Sequence, residues 1–135
     1  MSEVLFVSRA NMGISRVLEG LLRQVAPQIK VNSAGIDIDD DDRGLDEDAR
    51  LALSEVGARA DGDPLQLTPS LADRADLIVV VGDIDVSDYV APDLQVERWH
   101  FEDPASRGVR GQARYAEIRD RMTKQVRELA KRLSN

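Results

Sequence analysis

Cysteine is absent from the 135 residues. That excludes disulfides, thiolate nucleophiles, zinc–thiolate centres and thiol redox relays in one stroke. Aromatic residues are scarce at 4%, so Val, Leu, Ile and Ala must fill most of any core. Long apolar runs are missing too. Val4 to Val7 and Leu77 to Val81 are the longest uninterrupted stretches, far short of the ~20 residues a bilayer-spanning helix needs. No basic segment followed by an apolar stretch and a small-residue cleavage site stands at the start. The cytoplasm is therefore the expected location.

What remains is an ordinary globular composition, 42% hydrophobic and 32% charged, of a length that suits one domain over residues 1–135 with one core. The formal charge is -7. A field of that sign repels phosphate at long range, which argues against nucleic acid and anionic membranes as partners. It leaves room for a local anion site built from backbone amides.

Along the chain, Glu3 to Ser8 reads as a short buried strand and Ser15 to Ala26 as an amphipathic helix. That helix carries Val17, Leu18, Leu21, Leu22 and Val25 on one stripe, with Ser15 as N-cap and Pro27 beyond its end. A second strand is expected over Ile29 to Ser33, followed by Ala34-Gly35. Next come a helix over Asp46 to Val56 stopped by Gly57, and a short helix opened by Thr68-Pro69. Leu77 to Val81 is uniformly apolar, as a strand covered on both faces should be. Gln95 to Trp99 supplies a fourth strand. Gly111 to Leu133 closes the chain as a long helix with an apolar seam of Tyr115, Ile118, Met122, Val126, Leu129 and Leu133. Glu117–Arg121 and Glu128–Arg132 are spaced for ion pairs on its wet side. Alternating strands and helices predict a small, doubly wound, open parallel sheet of about four strands with helices on both faces. Such sheets bind ligands beyond the carboxyl ends of their strands.

The segment Ser8-Arg9-Ala10-Asn11-Met12-Gly13-Ile14-Ser15 joins the first strand to the first helix. Unpaired amides at a helix N-terminus, reinforced by the helix dipole, make it a candidate cradle for an anion such as phosphate, sulfate or arsenate. The wider sequence extends the pattern. Val4-Leu5-Phe6-Val7, Asn11, Ser15 and Glu19-Gly20-Leu21-Leu22, then Ser33-Ala34-Gly35, then Ala75-Asp76-Leu77-Ile78 resemble successive signatures of the low-molecular-weight tyrosine phosphatases. Arg98-Trp99-His100-Phe101-Glu102-Asp103-Pro104-Ala105 is similar to the thioredoxin-linked arsenate reductase branch. The phosphatase branch usually has tyrosine after its Asp-Pro, where this chain has Ala105-Ser106.

The resemblance implies a phosphate loop of cysteine, five residues and arginine, then serine or threonine. Here the cysteine position is Ser8 and the arginine position is Ile14. A serine hydroxyl is far less acidic than a thiol, so the loop's field cannot ionise it near neutral pH without a dedicated base. Isoleucine offers no donor or charge to the oxyanion. Asp103 falls where the family holds its general acid. Arsenate reduction by the family route also needs further cysteines, and there are none.

Among possible substitutes, Arg9 reads as a solvated loop residue and Arg16 as a surface residue in the first helical turn. A triad of Ser8, His100 and Asp83 or Asp103 is the hydrolytic alternative. Asp37, Asp39 and Asp41 match the first, third and fifth positions of a calcium loop. Asp42 and Asp48 then stand where glycine and glutamate belong, so no metal is expected. The run through Asp40, Asp46, Glu47 and Asp48 reads as a solvated loop whose last acids favour the next helix N-terminus. The resemblance places it near the site mouth, where it would discourage anionic substrates.

Two readings follow. One is a catalytically inactive relative, without cofactor, that binds an anion, a protein partner or a second copy. The other is an atypical phosphomonoester hydrolase using Ser8.

Overall fold

The computed structural model describes residues 3–39 and 41–134. Four strands form one sheet: β1 (Glu3–Ser8), β2 (Lys30–Gly35), β3 (Leu77–Val81) and β4 (Val96–Trp99). Their order is β2-β1-β3-β4, and every pairing is parallel. The helices are α1 (Ile14–Val25), α2 (Glu47–Ser54), α3 (Pro69–Arg74) and α4 (Gly111–Leu133), with one 3-10 turn over Pro104–Arg107.

Strand alternation divides the core. Val4, Phe6, Leu77, Val79 and Val81 point to the face covered by α1, α2 and α4. Leu5, Val7, Ile78 and Val80 point to the other, where Leu67 and Ala72 meet them. Helices therefore lie on both faces, which is why β1 and β3 carry no polar alternation. The few aromatics are used economically: Phe6 and Trp99 meet edge to face at 5.8 Å.

The expected elements are all present, with shifted ends. Helix α1 begins at Ile14, with Gly13 as its N-cap and no capping side chain. Ser15 is not the cap, because its hydroxyl is turned inward. Strand β2 extends through Ala34-Gly35, held by the pairing of Ser8 with Gly35. Asp46 is the N-cap of α2 rather than its first residue, accepting from the amides of Asp48 and Ala49. Thr68 caps α3 as expected. Gly57, at φ +74°, reverses the chain after α2 while the Ala58 amide bonds back to Leu53 O. On α4, Glu117 pairs with Arg121 at 3.3 Å. The expected Glu128–Arg132 pair does not form, since Arg132 takes the carboxylate of Glu97 at 2.7 and 3.0 Å. Among the described residues, no helix is long and apolar enough to cross a membrane.

Candidate functional site

Strand β1 lies between β2 and β3. Its carboxyl end is thus the switch point of the sheet, and the segment 8–15 begins there. Gly35 permits the close fit of this loop on β2: a Cβ at that position would lie 2.7 Å from Arg9 O. The Asp37 amide donates to the same carbonyl, and the Asp46 amide to Met12 O. The acidic segment therefore touches the loop near both of its ends.

Asn11 organises the interior. It is 1% exposed and sits at φ +54°, a conformation Asn tolerates better than most residues. Its Oδ1 accepts from the Leu65 amide at 2.9 Å, which fixes the orientation of the amide group. Its Nδ2 then donates to Ser15 Oγ at 3.0 Å and to Ser33 Oγ at 2.9 Å. Ser33 in turn donates to Glu19.

This network reaches Ser8. The hydroxyls of Ser8 and Ser15 are 2.7 Å apart. Ser15 is fully buried and accepts from Asn11, and either hydroxyl of the Ser8–Ser15 pair can donate to the other. Ser8 Oγ also accepts from the Asn11 amide at 3.3 Å. Ser8 Oγ is thereby engaged by two neighbours within the loop. Among the described residues no carboxylate or imidazole is hydrogen-bonded to Ser8. His100 is exposed just beyond β4, and Asp83 is exposed after β3. The triad of Ser8, His100 and an aspartate is not assembled by hydrogen bonds.

Arg16 departs from expectation. It is 2% exposed rather than on the surface. Its guanidinium reaches Asn11 O at 3.3 Å, Asp61 O at 2.7 Å and Gly62 O at 2.9 Å, lying beneath the loop as an internal cation. It ties the loop to the 61–65 segment. Arg9 and Ala10, by contrast, are exposed. Ile14 is partly buried against the core beside α4, where it can offer an anion only its backbone. The amides of Ala10, Met12, Gly13, Ile14 and Ser15 have no acceptor among the described residues, as a helix N-terminus leaves them.

Asp103 caps the 3-10 turn through the Ala105 amide at 3.0 Å. Both its oxygens accept from Arg114, at 2.8 and 2.9 Å. Those bonds from Arg114, with the cap bond adding, hold its carboxyl at about 2, below the ordinary 3.8. A group so anchored stays ionised and cannot deliver a proton near neutral pH. Arg114 also lies 4.9 Å over the ring of Tyr115. Tyr115 belongs to the expected seam of α4, yet its hydroxyl end covers Gly13: a Cβ on Gly13 would fall within 2.8 Å of two ring carbons. Burial, followed by the charge of Asp46, raises the Tyr115 phenol above its usual range. Arg114 and the covering role of Tyr115 were not legible in the sequence; the one signal was glycine at the cap position.

The acidic run lines this mouth with Asp37, Asp46 and Asp48, while Asp40 lies outside the described residues. Among the described residues, no group of three or more His, Asp or Glu side chains could hold a metal ion.

A parallel sheet with an amide-lined loop after β1 and Asp-Pro beyond β4 defines a phosphatase-type α/β protein. Residues 3–135 match the low molecular weight phosphotyrosine protein phosphatase family, and the chain belongs to it. It is 31% identical to arsenate reductase from Archaeoglobus fulgidus, over 94% of this chain and 98% of that one, with a TM-score of 0.73. The tyrosine phosphatase Wzb from Escherichia coli K30, in complex with sulphate, is 22% identical over 98% of both chains, at a TM-score of 0.78. A Cys-to-Ser mutant of the YwlE arginine phosphatase of Bacillus subtilis, with a phosphorylated active-site serine, is also 22% identical. It matches over 98% of this chain and 96% of that one, at a TM-score of 0.76.

Proposed function

We propose that this chain is a catalytically silent member of its family, acting as one domain in the cytoplasm that binds a weakly held anion or a protein partner. The observation that carries this reading is the state of Ser8. Its hydroxyl is hydrogen-bonded to that of Ser15 and accepts from the Asn11 amide, and among the described residues no carboxylate or imidazole is bonded to it to take its proton. A serine nucleophile needs a base to take its proton, and among the described residues no basic side chain is hydrogen-bonded to Ser8.

Two further losses point the same way. Ile14 withdraws the guanidinium that would stabilise transition-state charge, a loss worth roughly 2.7–4 kcal/mol for one such contact. Asp103, bound to Arg114, is ionised and cannot protonate a leaving group. Groups that act as a unit lose nearly all rate when one is removed.

The unpaired amides of Ala10 and Met12 to Ser15, the adjoining Arg9 and the Ser8 hydroxyl are the groups left to meet an anion. The sulphate held by the Wzb relative makes an oxyanion the first ligand to try. Acids at the mouth and the missing guanidinium keep its affinity low.

Turnover of a chromogenic phosphomonoester, compared between the chain and Ser8→Ala, tests the silent reading. Equal background rates are expected, and Ser8-dependent turnover well above them would end it. Calorimetry with phosphate, arsenate and sulfate then separates the two binding roles. Heat at millimolar anion supports the cradle; its absence leaves partner binding alone. One observation favours the hydrolytic alternative: in the YwlE mutant, an active-site serine carries a phosphoryl group. By analogy Ser8 Oγ would bond to phosphorus as the ester P–O bond breaks, its proton passing to the departing alcohol, and water would then cleave the phosphoserine to release phosphate.

A further inference from the structure

A groove between α1 and α4 has a character unlike the rest of this acidic molecule. Lys124, Arg127 and Lys131 are exposed along one stripe of α4 and make no ion pair among the described residues. Val25 and Val56, each 41% exposed, form apolar ground beside them. Asp120 borders the groove but is held by Arg119 at 2.9 Å, so Glu128 is the acid that remains to offset three cations.

The opposite character is found at the far end of α1. Asp37, Asp39 and Asp41 are exposed there, and they too make no ion pair among the described residues. Beside them stands Leu65, 47% exposed, joined to the acidic segment through Gln66, which bonds Ile36 O and the Ile38 amide. One surface is cationic around two valines, and the other is anionic around a leucine. They lie at opposite ends of α1, a helix roughly 17 Å long at 1.5 Å per residue. The loop of one molecule therefore cannot reach its own groove.

We propose that the α1–α4 groove docks the acidic edge of a second copy of this chain, with Leu65 set against Val25 and Val56. Two different patches meet, so the contact is heterologous and propagates unless its rotation closes a ring. The net charge of -7 opposes association at long range. At physiological salt that repulsion is screened beyond ~8 Å, and the short-range complementary contacts prevail. The inference is independent of the chemistry at Ser8.

Sedimentation velocity of the full chain over a concentration series is the test. Self-association is expected, weakening as salt is raised. Reversing the stripe (Lys124→Glu, Arg127→Glu, Lys131→Glu) should weaken it by at least about tenfold. Reversing the loop (Asp37→Lys, Asp39→Lys, Asp41→Lys) should do the same. A chain carrying both reversals should associate again, which also shows that the reversals leave the fold intact. A wild-type chain that stays monomeric at every concentration overturns the proposal. So does association indifferent to either reversal, or a doubly reversed chain that stays monomeric.

Discussion

Asn11 is the residue on which the others depend. Its Oδ1 is fixed by Leu65, so its Nδ2 donates to the hydroxyls of Ser15 and Ser33, and through Ser15 it is linked to Ser8. Asp103 is governed as firmly by Arg114. Its folded value of about 2 lies below the ordinary 3.8. A carboxylate depressed in this way contributes stability in full above its unfolded value and loses it as pH falls through the folded one. The pair should therefore support the fold above about pH 4 and fade toward pH 2. Asp103 is 41% exposed on its side chain, so solvent screening limits the contribution to about 1 kcal/mol or less. Urea denaturation of Asp103→Asn should show that loss at neutral pH and a shallower decline between about pH 4 and 2. An unchanged acid limb would mean that Arg114 does not hold this carboxylate in solution.

Among the elements, the start of α1 and the first turn of α4 are built against each other. Glycine is required at position 13 by space, because a side chain there would run into its neighbour. The space is taken by Tyr115. Gly13→Ala should destabilise by about 1–3 kcal/mol, the usual range for overpacking. In a Tyr115→Leu background the same change should be milder, and a double-mutant cycle from urea midpoints measures the difference. Equal losses in both backgrounds would place the clash elsewhere.

Contacts of this kind explain what was legible beforehand. Apolar periodicity and turn residues placed every strand and helix, because local pattern reports burial directly. The loop 8–15 was legible as a strand-to-helix turn, and Ser8 and Ile14 as departures. Arg16 was not, because a charged residue in a first helical turn reads as solvated until the distant segment 61–65 folds over it. Nor was Arg114, which reaches Asp103 only because the 3-10 turn and Gly108, at φ +84°, bring α4 back. Spacing along the chain carries no record of such returns.

At the scale of the whole molecule, the scaffold of a phosphoryl-transfer family is intact while the groups that move electrons and protons are missing or engaged. The sheet still presents its switch-point loop, and α1 still leaves its N-terminal amides unpaired. Acidic residues border that loop: the amides of Asp37 and Asp46 bond to it, and Asp46 and Asp48 act on Tyr115, which covers Gly13. Of the arginines named at this site, Arg16 is buried beneath the loop and Arg114 is bound to Asp103, leaving Arg9 in solvent. The proposed role, a ligand held loosely and left unchanged, rests on this arrangement. Intact-protein mass spectrometry after prolonged incubation with an aryl phosphate tests this most directly. The account predicts an unmodified chain; a gain of one phosphoryl group located on Ser8 would contradict it.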